Sequence, residues 1–499
     1  MSGKTDEIQS SHRVRGTLNR AMIRTLRSVV FGICAVAAQV HAQTITIDAS
    51  IKHQVMDGWI NQLRVWDDPH LTETFRPPRG TEDAGRSAVN IPLSAQSEIL
   101  ELLYGDLGLT HVQAVIERGA QPVEGGPFNF NWKRSDAQIA YVKQARPHGL
   151  AKTIFWVLNG ETWLQNRTDP NGQAAWEMAL LRRWRSMGVE PEYLMVWNEP
   201  GYNGAWATPE YIRELIRAMG RRLKAEGFST RIVAPETLTA GDGLRYLETI
   251  FADPEVRGYV AAISTHLYGE GGNLKNLVAI RDRYARPYKK PLWMSEYSEI
   301  SDAFDFAQLM SNLLSNDVSN IGYEWGFFGQ WQSRAHLITI NHSPPGNTYT
   351  GYTRTKIYHT FGQFSRFIRA GDRRISAVSS DDVLRVTAFQ SSTGGSIILV
   401  NNSRQTYYDV TFKLVALSEI SSVRGFRTSP NENWAILSEI PVLNGGFRAA
   451  LPARSVTTYT WRTSPKAVEG RVDRDPGNAR RDAPDGAMPG KTNDEQTPD

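Results

Sequence analysis

Leu194-Met195-Val196-Trp197-Asn198-Glu199-Pro200 is an apolar run that meets an amide, a carboxylate and a proline without warning. It is too short for a helix and Pro200 stops it, so it predicts a buried strand ending at Glu199. A second stretch has the same construction: Pro291-Leu292-Trp293-Met294-Ser295-Glu296-Tyr297-Ser298 also delivers one glutamate from an apolar run. The sequence between them has room for about three strand–helix units at ~30 residues each. In a barrel of alternating strands and helices, the carboxyl ends of the strands carry the chemistry.

Working outward, apolar runs at 53–59, 110–117, 152–158, 231–236, 261–268 and 321–328 read as six further strands. Helical periodicity separates them, at 94–107, 134–146, 174–187, 243–251, 274–284, 304–314 and 353–368. The clearest helix spans 208–227: Thr208 caps it, Pro209 takes the first turn, and Gly227 ends it. Ile212, Leu215, Ile216, Met219 and Leu223 form its apolar stripe. Eight alternations predict an α/β fold, a (β/α)8 TIM barrel. No glycine-rich phosphate loop follows any strand, which argues against a doubly wound open sheet.

After Gly371 the period changes to two, with short strands at 383–389, 396–400, 410–414 and 456–461. This predicts a C-terminal all-β sandwich side domain. The resulting division is a leader at 1–42, an N-terminal strand at 43–52 joining the sandwich, the catalytic barrel at 53–371, the β-sandwich at 372–463 and a disordered tail at 464–499. Residues 67–92, rich in Pro, Asp, Arg and Thr, form a long loop of the kind that is either functional or mobile.

Residues 1–42 have the order of a cleaved secretory signal peptide: five arginines, a short apolar core and a small residue at Ala42. The core is shorter than the ~20 residues a membrane span needs. Met22 is an alternative start, since the leader from there has ordinary proportions. The leader carries six Lys/Arg and two Asp/Glu, so the remainder holds 50 of each and is formally neutral. That balance favours neither nucleic acid nor an anionic membrane as partner. The single cysteine, Cys34, leaves with the leader, which excludes a thiol nucleophile and disulfides in the secreted chain. A monomer acting on a polysaccharide or oligosaccharide, without cofactor, is the expectation.

Two glutamates on different barrel strands suit a retaining glycosidase, one protonating the leaving oxygen and the other attacking the anomeric carbon. Aromatic residues cluster at the predicted strand ends: Trp156, Trp163, Trp197, Trp293, Trp325, Trp331, Tyr268 and Tyr297. Flat, rigid rings suit the C–H faces of sugars. His266 and Tyr268 point the same way from one strand and are expected to hydrogen-bond Glu296, keeping it ionised and oriented. No closely spaced ligand motif indicates a metal, and no Gly-x-Ser-x-Gly elbow indicates a serine nucleophile.

These motifs, in this order, resemble clan A of the glycoside hydrolases, and family 30 within it. Asn198-Glu199-Pro200 resembles the clan's acid/base motif, Trp293-Met294-Ser295-Glu296 its nucleophile motif, and Thr265-His266-Leu267-Tyr268 its strand-six pair. The N-terminal strand, Ser365-Arg366-Phe367-Ile368-Arg369-Ala370-Gly371 and Leu451-Pro452-Ala453-Arg454-Ser455-Val456-Thr457-Thr458-Tyr459 favour family 30. The resemblance implies Glu199 as acid/base, Glu296 as nucleophile, Asn198 bonding the sugar 2-hydroxyl, and Trp325 beneath that sugar.

The chain departs from the family at Gln113, where relatives carry an arginine, with Arg118 further along. It departs again at Gly58-Trp59-Ile60-Asn61, in place of a glycine-rich turn. Family members cleave glucuronoxylan, β-1,6-glucan, β-1,6-galactan or glucosylceramide. A secreted endo-acting xylanase is the favoured expectation, with Arg334 as a branch-reading candidate. The alternatives are a β-1,6-glucanase or galactanase, and a non-catalytic carbohydrate-binding protein.

Overall fold

The computed structural model describes residues 43–68, 71, 89–130, 135–330, 335–343 and 348–462. The leader, the tail, Trp331, Arg334 and most of the 67–92 loop lie outside the described residues.

Strand β1 (Thr44–Val55) alternates in burial, with Ile45, Ile47 and Ala49 facing inward. Residues 53–55 belong to it rather than to the first barrel strand. Gly58, at φ +150°, then turns the chain into the barrel; a Cβ there would lie 1.9 Å from the Thr110 hydroxyl.

The barrel strands are β2 (Gly58–Gln62), β3 (His111–Ile116), β4 (Lys152–Val157) and β5 (Tyr193–Met195), continuing with β6 (Arg231–Thr237), β7 (Val260–Thr265), β8 (Leu292–Met294) and β9 (Val318–Gly329). They pair in parallel in sequence order, and β9 returns to β2, so the sheet closes. Inside it, Ile60, Ile154, Trp156, Tyr193, Met195, Val233, Ala262 and Trp293 form a packed plug. The larger aliphatic side chains among them, Ile60, Ile154, Met195 and Val233, each contribute about 1.5–3 kcal/mol by leaving water.

The helices are α1 (Leu93–Leu100), α2 (Ser135–Ala145), α3 (Thr162–Arg167), α4 (Pro170–Ser186) and α5 (Pro209–Ala225), then α6 (Ala240–Ala252), α7 (Pro254–Tyr259), α8 (Lys275–Ile280), α9 (Ala303–Ser315) and α10 (Lys356–Ser365). Helices α1 and α8 each run on into a π-helical turn. Helix α5 forms as its sequence dictates: the Thr208 hydroxyl accepts from the Tyr211 amide, and its five stripe residues are all buried. Among the described residues, no helix is long and apolar enough to cross a membrane.

Strand β9 outlasts the barrel. Its second half pairs with β10 (His336–Ser343), which turns back as β11 (Thr348–Arg354). The expected helix at 353–368 therefore starts late, at Lys356, because the Thr/Tyr-rich segment before it has strand chemistry.

The second domain contains β12 (Arg373–Ser379), β13 (Leu384–Gln390), β14 (Gly394–Asn401), β15 (Tyr407–Val415) and β16 (Ser422–Ser429). It continues with β17 (Glu432–Ile436), β18 (Ile440–Pro441), β19 (Gly446–Leu451) and β20 (Ser455–Arg462). Its two layers are joined as one curled sheet, because β1 pairs antiparallel with β12 and parallel with β15. Phe412 and Phe447 meet Tyr459 across the curl, with centroids 5.5 and 5.2 Å from its ring.

Between α4 and α5 the fold buries a carboxyl. Glu177 Oε1 accepts from Gln173 Nε2 at 2.8 Å, while Glu177 Oε2, Gln173 Oε1 and the Tyr211 hydroxyl have no partner. Burial holds Glu177 well above the usual carboxylate range, so it folds neutral. Its folded pKa exceeds its unfolded one; the stability it contributes is full below the ordinary value of about 4.3 and is lost as pH rises towards the folded pKa. Glu177→Gln removes this titration and supplies an amide for the unpartnered Gln173 oxygen. We expect the variant to gain about 1–3 kcal/mol over the parent at pH 8, and much less at pH 5. Calorimetric melting at the two pH values checks this; equal shifts at both would contradict it.

Candidate active site

Both strand-end glutamates lie just beyond the barrel's short strands. Past β5 the chain keeps its direction while the Asn198 amide donates to the Val157 carbonyl, and then turns at Glu199, whose φ is +49°. Left-handed backbone at a glutamate costs about 1–3 kcal/mol and persists where the surroundings impose it. Here the Glu199 amide donates to the carbonyl of Glu236, which ends β6 in the same conformation at φ +59°. Two residues past β8, Glu296 is set by a close approach behind it: a Cβ on Gly322 would lie 1.9 Å from the Ser295 carbonyl oxygen.

Glu199 and Glu296 are brought together, each 7% exposed. One oxygen of each and one nitrogen of His266 lie within 4.8 Å of one another. Every carboxylate oxygen of the pair accepts a hydrogen bond. Glu199 Oε1 faces His266 Nδ1 at 3.0 Å and Oε2 accepts from Asn203 Nδ2 at 3.1 Å. Glu296 Oε1 accepts from the Tyr268 hydroxyl at 2.9 Å and Oε2 from Gln62 Nε2 at 2.5 Å. The spacing of His266, Glu199 and Glu296 would admit a small cation. The polar hydrogens of Tyr268, Gln62, Asn203 and His266 all aim at these oxygens, however, a donor set suited to bare carboxylates. The sequence showed no such trio because it is assembled from three strands.

His266 corrects an expectation. Its Nε2 lies 3.9 Å from Glu296 and makes no hydrogen bond to it; the ring bridges Glu199 and Glu236, the latter at 3.2 Å. The longer Tyr268, two residues on, reaches Glu296 instead. Burial opposes charge on His266, but the charge of Glu296 and the bonds to Glu199 and Glu236 outweigh it, and its pKa stands well above the ordinary value. Burial also pushes Glu296 up, to about 8; His266 pulls it back, Glu324 and Glu199 add to the rise, and the Tyr268 bond pulls back again. Burial and the charges of Glu296 and Glu324 keep the Tyr268 hydroxyl protonated, a permanent donor. Carboxyl groups this close titrate as a set.

The aromatic residues separate into three groups. Trp156 donates its indole N–H to Asn198 Oδ1 at 3.2 Å, which leaves the Asn198 amide hydrogens for a ligand. Trp163, half-buried on α3, is anchored to the Gln121 carbonyl. Half-buried Trp325 bonds Glu324, and the Arg64 guanidinium stacks 3.7 Å from its ring centre. Tyr297 is fully buried and stacks behind Tyr268, so it backs the site and cannot touch a ligand. Trp197 and Trp293 also leave the expected cluster. Trp197 turns outward against Trp206, and Trp293 sits low in the barrel with Tyr193 and His111, bonded to Asp57. Strand alternation fixes the side a residue faces; its layer in the barrel decides its depth.

Gln113, where the resemblance implied an arginine, directs its amide to the Met195 sulfur at 3.4 Å. The donor to Glu296 comes from Gln62 on β2, which sequence reasoning missed. It also missed Glu236, although 231–236 has the same apolar-run-to-glutamate construction as the two strands first recognised. Glu324, bonded by the Ser298 hydroxyl and the Trp325 indole, was passed over inside its strand.

The glycosyl hydrolase catalytic core family matches residues 163–321, the span from Trp163 through Glu199 and Glu296. Glucuronoxylanase XynC of Bacillus subtilis (strain 168) is 28% identical over 282 residues, covering 55% of this chain and 62% of that protein. The family 30 subfamily 8 xylanase Xyn30A of Clostridium acetobutylicum superposes at a TM-score of 0.65 with 21% identity, over 84% of this chain and all of that one. The barrel with its curled side sheet is the fold of family 30 glycoside hydrolases, and residues 163–321 match the glycosyl hydrolase catalytic core. The catalytic domain of xylanase C of Talaromyces cellulolyticus shares the family 30 fold at a TM-score of 0.67 and 19% identity, over 84% of this chain and all of that one. An endo-β-1,6-glucanase shares it at 0.65 and 17%, over 84% of this chain and 94% of that one. The likeness to these structures is one of fold, barrel and curled side sheet together, while the chain spans 62% of the length of the curated relative it matches.

Proposed function

We propose that this chain is a secreted, retaining endo-β-glycosidase that hydrolyses a β-linked polysaccharide, glucuronoxylan first among candidates. The separation of the two carboxylates carries the reading. Retaining enzymes hold their carboxyl groups about 5–5.5 Å apart, and inverting ones about 6.5–9.5 Å. The nearest Glu199 and Glu296 oxygens lie within 4.8 Å, which leaves no room for a water between Glu296 and a sugar.

Glu296, held by Tyr268 and Gln62, attacks the anomeric carbon as Glu199 gives its proton to the departing glycosidic oxygen. A glycosyl ester forms on Glu296 and the aglycone leaves. Glu199, now a carboxylate, takes a proton from water as that water attacks the same carbon and frees Glu296. Asn198, aimed by Trp156, donates to the sugar 2-hydroxyl, and Trp325 offers a ring edge beside it. The leader-like order of residues 1–42 supports export.

The xylan reading rests on the name of the matched glucuronoxylanase; a β-1,6-glucanase of the same fold supports the second reading. Incubation with glucuronoxylan, β-1,6-glucan and β-1,6-galactan, followed by proton NMR of the first products, tests both. We expect xylo-oligosaccharides released first as the β-anomer. An α-anomer would overturn retention, and release from none of the three would overturn the substrate class.

A further inference from the structure

We propose that Glu236 is a positioning residue that fixes His266 as an imidazolium between the two catalytic carboxylates. The catalytic part of this inference rests on the glycosidase reading above.

Glu236 is 1% exposed and His266 fully buried, so neither exchanges partners with solvent. Glu236 Oε2 faces His266 Nε2 at 3.2 Å and accepts from the Ser295 hydroxyl at 2.8 Å. An ionised carboxylate only accepts, so it requires a hydrogen on Nε2. Across the ring, Nδ1 meets Glu199 Oε1 at 3.0 Å. Three elements therefore present acids to one imidazole: the turn after β5 with Glu199, the end of β6 with Glu236, and the segment after β8 with Glu296. Tyr268 stands edge-on, 5.8 Å from the ring centre, and donates away to Glu296. Among the described residues Gln62, a neutral amide, is the only other side chain donating to Glu296, since Gln113 faces Met195.

The consequence is electrostatic. A cation at His266 pulls the Glu296 carboxyl back down towards ionisation. With a neutral imidazole, Glu296 holds its proton to higher pH and the nucleophile is ionised late. Glu236 touches no substrate in this scheme and acts through His266 alone.

The test is histidine 15N NMR on the whole protein, with the His266 signal assigned from a His266→Gln spectrum. In the parent, both His266 nitrogens should carry hydrogens from pH 5 to 9. In Glu236→Gln, His266 should titrate inside that window. Ser295→Ala, which removes the other bond to Glu236 Oε2, should leave His266 charged and separates loosening from loss of charge. On xylan, the acid limb of kcat/KM for Glu236→Gln should move up by about one pH unit, a loss of about tenfold on that limb. A neutral His266 in the parent, or an unchanged His266 in Glu236→Gln, overturns the inference. Because the NMR result needs no substrate, a protein inactive on every glycan would sink the glycosidase reading without deciding this one.

Discussion

Glu296→Gln is expected to abolish turnover of glycan and of activated aryl glycoside alike. Loss of a covalent nucleophile removes the first bond-forming step, so a fall of about 100,000-fold or more is expected, equivalent to about 7 kcal/mol of barrier. The fold should survive. Gln62 Oε1 is buried without a partner, so the Gln62 amide can turn over and accept from the new Nε2, while Tyr268 still donates to the remaining oxygen. Melting within about 3 °C of the parent, together with lost turnover, places the defect in chemistry rather than stability. Added azide should yield no product of retained configuration from this variant, because the acceptor step needs an ester that never forms. Measurable turnover of the aryl glycoside would remove Glu296 from the nucleophile role and give the attack to water.

The barrel was legible because its signal is local and repeated. Each strand is a short apolar run and each helix carries its own caps, as Thr208, Pro209 and the α5 stripe illustrate. The two glutamates were legible for the same reason: each closes such a run. What the sequence could not carry was reach across the barrel. His266 and Tyr268 share a parity, so both were aimed at one carboxylate; the lengths of their side chains and the positions of three other strand ends divide them between Glu199 and Glu296. Gln62 had no distinguishing neighbour, since an amide at a strand end is common and becomes a ligand of Glu296 only after the sheet closes β2 against β9.

The same limit explains the aromatic residues and the side domain. Trp293 lies three residues before Glu296, and Trp197 two before Glu199, yet one fills the barrel floor and the other the layer beneath the helices. Sequence proximity to a strand-end glutamate fixes neither depth nor direction. The side domain was legible as a set of period-two strands, but its continuity depends on β1 pairing in parallel with β15, from the opposite end of the chain. Nothing local encodes that pairing. The buried β1 positions Ile45 and Ile47 report only that some second layer exists.

Glu199→Gln should divide substrates by leaving group. On glycan, where the departing alkoxide needs a proton, kcat/KM is expected to fall by about 100- to 10,000-fold, the usual span of general-acid catalysis. On an aryl glycoside whose leaving group departs unaided, the first step should survive, giving a burst of phenol followed by a slow steady state as the ester waits on Glu296 for a base. Azide, which needs no deprotonation, should restore the second step and yield the β-glycosyl azide. The pH profile supplies a further sign. Burial holds Glu296 up, to about 8, so attack by its carboxylate should strengthen as pH rises towards that value in the parent. In Glu199→Gln the charge that adds to this rise is gone, so the same limb should move to lower pH for the aryl substrate. The introduced amide keeps an oxygen for the His266 Nδ1–H, but its nitrogen now faces Asn203 Nδ2, so Asn203 must turn its own amide over for the loop after Pro200 to hold its place. Equal losses on both substrates, with no burst and no response to azide, would show that Glu199 shapes the site without passing a proton.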